Sequence, residues 1–211
     1  MEYRFQILKG NKYLALVLLM LCSYSIKAQD GFNLELNMLR TKHGTGDMLG
    51  FSFNTNFVKP IKKNLSYVIS VGGTTHQQKD ELFFTVNGRE NDGSIVDVTS
   101  GFQIGYGLDY KLINSKNHKL GIRLVAFGRY QSTSLPDSRS ILYPIITDVP
   151  FPVIYFGRTS PAQTFAAGLD TSLIYNIRVY KSFSLNLLGS FQFDTNGDNI
   201  IGYGAGIVKS F

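Results

Sequence analysis

The chain has 211 residues, with 21 Lys and Arg against 15 Asp and Glu, three His and a single Cys. Its opening segment takes Arg4, Lys9, Lys12, Lys27 and Glu2 out of that balance if it is removed on export, leaving 17 bases against 14 acids. The formal charge then falls from +6 to +3, and a nucleic-acid partner loses its electrostatic footing.

The first element is that segment. Arg4, Lys9 and Lys12 precede an apolar run from Tyr13 to Cys22 and a polar stretch to Ala28. Ten apolar residues span about 15 Å as a helix, half of a hydrocarbon core of roughly 30 Å. Residues 1–28 therefore read as a cleaved secretory signal, with Gln29 as the new terminus. Cys22 follows Leu21 rather than a small residue, so lipid attachment is not expected and the thiol leaves with the signal. The remaining 29–211 is one domain without disulfide or thiolate chemistry.

From there on the apolar period is two, not 3.6. Eight segments alternate, over 31–39, 47–58, 64–75, 98–112, 119–131, 163–178, 183–194 and 200–211. In the fourth, Phe102, Ile104, Tyr106, Leu108 and Tyr110 alternate with Gln103, Gly105, Gly107, Asp109 and Lys111. In the last, Ile201, Tyr203, Ala205, Ile207 and Phe211 oppose Gly202, Gly204, Gly206, Val208 and Ser210. Strands of about 9–11 residues suit a tilted bilayer crossing. Connections after the even strands are short, while those after the odd ones include the long 76–97 and 132–163. A sandwich has no reason to sort loop lengths this way. The expectation is an all-β, eight-stranded antiparallel transmembrane β-barrel in the bacterial outer membrane, both termini periplasmic. A ten-stranded barrel using the apolar runs of the second long loop is the alternative, with Pro144 and Pro152 against it.

Outward aromatics sort by level. Phe32, Phe57, Tyr67, Tyr110, Tyr175, Phe183 and Phe211 fall near the short turns, and Phe102, Tyr130, Phe165, Phe191, Phe193 and Tyr203 near the long loops. Two such levels are the aromatic girdles of a membrane protein. Export signal, eight alternating strands and an aromatic carboxy terminus together resemble the small outer-membrane β-barrel family typified by OmpX and the barrel portion of OmpA. The resemblance covers essentially all of 29–211 as phase and loop length. It implies that the last strand, through Tyr203, Ile207 and Phe211, is the signal read by the barrel-assembly machinery. The family usually has an aromatic two positions before the terminal Phe; this chain has Lys209, which at a rim costs only ~0–1 kcal/mol.

An eight-stranded lumen is just wide enough for side chains to fill, which argues against an open porin. A turn symmetric about Lys116 sets Leu112 against Leu120, Asp109 against Arg123 and Gln103 against Arg129. The Asp109–Arg123 pair is expected to be charge-assisted, with Glu35, Lys111 and Asp170 placed to extend the network as a structural plug; an ion path is the functional alternative. Catalysis has weak support. His118 lies in a short turn, His43 and His76 in or near the long loops, and only Thr74, Thr75, Asp80 and Glu81 flank His76. No spacing suggests zinc, and Asp194–Asn199 lacks the distal Glu of a calcium loop and reads as a tight turn. No cofactor is expected. Residues 87–93 read as the centre of a hairpin with arms 82–86 and 94–98.

The second long loop carries Ile141, Leu142, Tyr143, Ile145, Phe151, Ile154, Tyr155 and Phe156, too apolar to be left in water. The reading is a non-enzymatic outer-membrane barrel surrounded by lipid, whose long loops contact an envelope protein, with no nucleic-acid partner. A lipid-modifying enzyme centred on His76 and a narrow channel are the alternatives.

Overall fold

The computed structural model describes residues 31–44, 48–157 and 162–211; the signal segment with Cys22 and the Ala28–Gln29 junction lie outside them. In chain order the elements are β1 (Asn33–His43), β2 (Met48–Lys62), β3 (Leu65–Asp80), β4 (Phe83–Val86), β5 (Arg89–Asp92), β6 (Ile95–Asn114) and β7 (His118–Thr133). There follow β8 (Ser138–Leu142), α1 (Pro144–Thr147), β9 (Val153–Gly157), β10 (Gln163–Tyr180), β11 (Phe183–Asp194) and β12 (Asn199–Ser210). Eight of the strands close a barrel in the order β1-β12-β11-β10-β7-β6-β3-β2, every neighbour antiparallel. The ten-stranded alternative falls, because β8 and β9 pair only with each other. Pro144 opens α1 instead of continuing β8, as a residue without an N–H to donate can.

Alternation becomes two surfaces. Outward positions such as Leu36, Phe53, Ile104, Tyr106, Leu187 and Ile207 are exposed around the whole circumference, whereas inward positions are buried. Two apolar layers inside, Leu39–Ile174–Leu188 and Val58–Val68–Val125, alternate with polar ones. At the short-turn end Phe32 stacks on Phe57 and Phe211 with centroids 4.7 and 4.6 Å apart. Toward the long loops Tyr130 meets Phe165 at 4.9 Å, and Phe191 meets Phe193 at 6.2 Å.

Several strands outrun their hydrophobic signal. Alternation ends at residue 39 in the first and 75 in the third, yet β1 continues to His43 and β3 to Asp80. The reason is that outward positions turn polar there, at Arg40, Lys42, Gln77 and Lys79, while the hydrogen-bond ladder goes on. The 20 residues of β6 reach roughly 45 Å along a barrel axis at a tilt of about 45°, well past a hydrocarbon core of roughly 30 Å. The long loops shrink accordingly, and the hairpin between β3 and β6 is tighter than its composition suggests. Arg89–Asp92 is strand, not loop, and pairs with Phe83–Val86 around Asn87-Gly88. Both turn residues have positive φ, 52° and 74°, as a type I′ turn needs.

Each short turn is preceded by a bulge, at Pro60/Lys62, Lys111/Ile113 and Arg178/Tyr180. Pro60 sits where a missing donor is tolerated. The bulge in β6 corrects one expected pairing: Ile113, not Leu112, faces Leu120. The turn is not symmetric about Lys116, and the extra residue restores the register by Lys111. Opposite β1, the middle of the inward lane of β12 is Gly206, Gly204 and Gly202 against Asn37, Leu39 and Thr41, flanked by Val208 and Ile200. A Cβ on Gly204 would collide with the Met38 carbonyl.

Candidate functional site

Two regions gather functional side chains: the polar layers of the lumen, and the structure built on the second long loop.

In the lumen, β6–β7 pairing sets Asp109 opposite Arg123 and Gln103 opposite Arg129. Arg123 Nη2 donates to Asp109 Oδ2 at 2.8 Å. The guanidinium also reaches across the bore to Glu35 on β1, Nη1 to Oε2 at 2.8 Å and Nη2 to Oε1 at 3.0 Å. All three side chains are nearly solvent-free, and Asn56 donates a further long bond to Glu35. One cation is thus clamped by two carboxylates, the geometry in which a guanidinium fork is strongest. Lys111 and Asp170 do not join this group. Lys111 faces Gly121 closer to the short turns and forms no ion pair among the described residues. Asp170 instead accepts from Ser172 and, at 2.6 Å, from Gln192. The remaining space at this level is an enclosed cavity of about 30 Å³, lined in part by Asn37, Gln103, Arg123 and Asp170, room for a water or two.

The polar layer toward the long loops was only partly legible. Arg129 pairs with Asp194, at the end of β11, rather than with Gln103 across from it. His43 and His76 are not solvated loop residues: they sit in β1 and β3, point into the lumen and are 6% and 1% exposed. Their rings stack at 4.9 Å, and His76 Nε2 shares a 2.8 Å hydrogen bond with Thr41 Oγ1. His76 Nδ1 has no partner among the described residues. Asp198, in the β11–β12 turn, lies 3.4 Å from His43 Nε2 and accepts from Gln131 at 2.7 Å. The His43 ring, then Gln131, hold its carboxyl below the usual carboxylate range against the opposing effect of burial. Within that turn the Asp194 carboxylate also accepts from the backbone N–H groups of Asn196 and Asp198. Turn chemistry and lumen network therefore share the same carboxylates. His118 is separate, against Tyr175 at 2.9 Å by the short turns.

In the second long loop, β8 and β9 form a hairpin with Ile141 opposite Ile154 and Leu142 opposite Val153. The pleat splits the apolar set. Ile141, Ile154 and Phe156 share a face with Arg139, while Leu142 and Tyr155 take the other. Arg139 ties the first face to the barrel through ion pairs with Asp80 and Asp97, its guanidinium 5.5 Å from the Phe156 ring centre. Beyond the pairing, Tyr143 and Phe151 are exposed, and Ile145 on α1 is 92% exposed with Ile146 beside it. Arg139, Asp80 and Asp97 carry no sequence signal for this role; only the fold brings them together.

No protein-family model matches the chain, and no curated protein matches it. Solved structures do. Neisserial surface protein A is 12% identical with a TM-score of 0.57, the match covering 85% of this chain and 97% of that one. Ail, the attachment invasion locus protein of Yersinia pestis, is 9% identical with a TM-score of 0.50, over 86% and 99% of the two chains. The fold is that of the small eight-stranded outer-membrane barrels.

Proposed function

We propose that the chain is a non-enzymatic, integral outer-membrane β-barrel that contacts an envelope or surface partner through the β8–β9 hairpin and α1. The observation that carries this reading is an exposed aromatic and aliphatic tip, Tyr143, Ile145, Ile146, Phe151 and Tyr155, on a hairpin pinned to the barrel by Arg139. A pinned loop presents its surface at less entropic cost than a free one. An apolar cluster at that height is otherwise unexplained.

Membrane residence rests on the unbroken apolar exterior, the two aromatic levels and the wall with no open edge. The short turns then lie in the periplasm, with both termini, and the long loops face outward. Lipid surrounds the wall, and the assembly machinery reads the last strand, where Tyr203, Ile207 and Phe211 all face outward. Lys209 lies 4.6 Å over the Phe211 ring, so its charge is accommodated at the rim. Against catalysis, the Thr41–His76 pair is sealed in the lumen, and among the described residues no acid orients His76 Nδ1.

The test replaces 141–156 with a Gly/Ser linker of equal length. The variant should still fractionate with the outer membrane and migrate differently boiled and unboiled, but lose partner association in mild detergent. His76→Ala should cost some stability and leave association intact. A silent loop replacement, together with a lipid modification lost in His76→Ala, would put an enzyme in place of the contact reading.

A further inference from the structure

The barrel's charges are sorted by end. Around the short turns stand Lys59, Lys62, Lys63, Lys116, Lys181 and Lys209, and no acidic side chain lies in those turns. The mouth enclosed by these turns supplies no counter-charge, because its inward positions on β6, β7 and β10 are Lys111, Lys119 and Arg178. Among the described side chains, the carboxylates nearest that mouth, Glu35 and Asp109, are both held by Arg123. None of these nine bases forms an ion pair among the described residues. The long-loop end differs: acids stand among its bases, and Lys79, Arg129 and Arg139 there pair with them.

The basic end is also built rather than loose. Lys111 N donates to Asn64 O at 2.8 Å and Asn114 Nδ2 to Lys63 O at 2.9 Å, joining the first two turns. Arg178 N to Asn117 O at 2.9 Å joins the second to the third, and Ser210 N to Ser182 O at 2.8 Å joins the third to the last strand. Depth selects the ligand. Lys181 lies 5.3 Å from the Tyr180 ring centre and Lys209 4.6 Å from that of Phe211, within the girdle that also holds Phe32 and Phe57. Rings of that kind settle among lipid headgroups, so the ammonium groups beside them stand at the depth of the phosphates.

We propose that this collar binds the phosphates of anionic phospholipids in the periplasmic leaflet, an inference that rests on the membrane orientation given above. A soluble wall polymer would meet the same charges from the aqueous side but has no reason to engage the cations stacked on girdle rings. Each lysine near an anionic surface strengthens attachment roughly fivefold, so the collar acts as a sum of such contacts and weakens with salt.

The test uses the full mature chain, folded in vesicles of phosphatidylcholine alone or of equal parts phosphatidylcholine and phosphatidylglycerol. Lipid retained after detergent extraction is read by native mass spectrometry. The wild type should retain phosphatidylglycerol at least tenfold over phosphatidylcholine. Lys59→Gln, Lys63→Gln, Lys116→Gln, Lys181→Gln and Lys209→Gln combined should abolish the preference, while Lys→Arg at the same five positions keeps it. Equal retention of the two lipids by the wild type overturns the proposal. So does full displacement by inorganic phosphate, which would make this a site for free phosphate, or an unchanged preference in a Gln variant that has lost affinity for soluble muropeptides. Orientation is checked separately by Asn64→Cys, which should be labelled only from the periplasmic side. Labelling from outside would refute the orientation, whereas the vesicle result would still report on the collar.

Discussion

Arg123→Met should be among the most damaging single changes in the lumen, and more damaging than Asp109→Asn. Charge centres about 4 Å apart interact by about 4 kcal/mol at an effective dielectric of about 20, and Arg123 has two such partners. Desolvation of several kcal/mol per ion offsets most of that gain, so the intact trio contributes little net. Removing its cation is another matter. Glu35 and Asp109, 2% and 6% exposed, are then left facing each other unpaired, a loss of about 3–5 kcal/mol. Asp109→Asn removes one charge-assisted bond and leaves a neutral Arg123–Glu35 pair, for about 1.5–3 kcal/mol. The triple change Arg123→Met, Glu35→Gln and Asp109→Asn removes every charge and should recover most of the single-site loss. Urea unfolding in detergent micelles, followed by the boiled-to-unboiled gel shift, measures all three. If Arg123→Met costs no more than Asp109→Asn, or the triple variant is as unstable as the single one, the clamp is not what fills the lumen.

Three further outcomes follow. Asp198 has a folded pKa below its unfolded value of about 3.9, so its contribution is complete above about pH 4 and is lost as pH falls through the lower folded value; Asp198→Asn should flatten that acid limb in unfolding measured against pH. Planar-bilayer recordings should show no steady conductance of porin size, since Arg123, Glu35 and two apolar layers fill the bore. Intact mass of the exported protein should give a chain beginning at Gln29 without acylation, and an acylated Cys22 terminus would reverse the reading of the signal.

Period-two hydrophobicity made the eight wall strands legible, and with them the facing of Asp109 and Arg123, which holds because the asymmetry of the turn is offset by the bulge before it. What stayed hidden has physical causes. Glu35 reaches Arg123 from a strand that is not its neighbour in the wall, a contact made across the bore rather than along the ladder. His43 and His76 read as loop residues because the apolar phase stops before the strands do. Asp194 and Asp198 read as turn formers, which they are, but their carboxylates also serve Arg129, Gln131 and His43. The bulge at Leu112 left no trace in the alternation, since the residues on either side are apolar or amphipathic as well.

The glycine lane of β12 has a consequence for how the cylinder is completed. Every other wall contact joins strands close in sequence or strands bridged by an intervening hairpin, but β1 and β12 meet from about 170 residues apart. Bringing such distant segments together costs about 2.5 kcal/mol more in chain entropy than a closure some sixteen times shorter, so this seam is expected to zip last. Gly202, Gly204 and Gly206 leave the middle of the arriving edge without inward side chains to thread past Asn37, Leu39 and Thr41, so that inward packing is confined to Ile200 and Val208 at either side. A seam smooth through its inner middle can slide into register from a partly open sheet and lock once the ladder is complete, with Phe211 N donating to Phe32 O at 2.9 Å as its final rung.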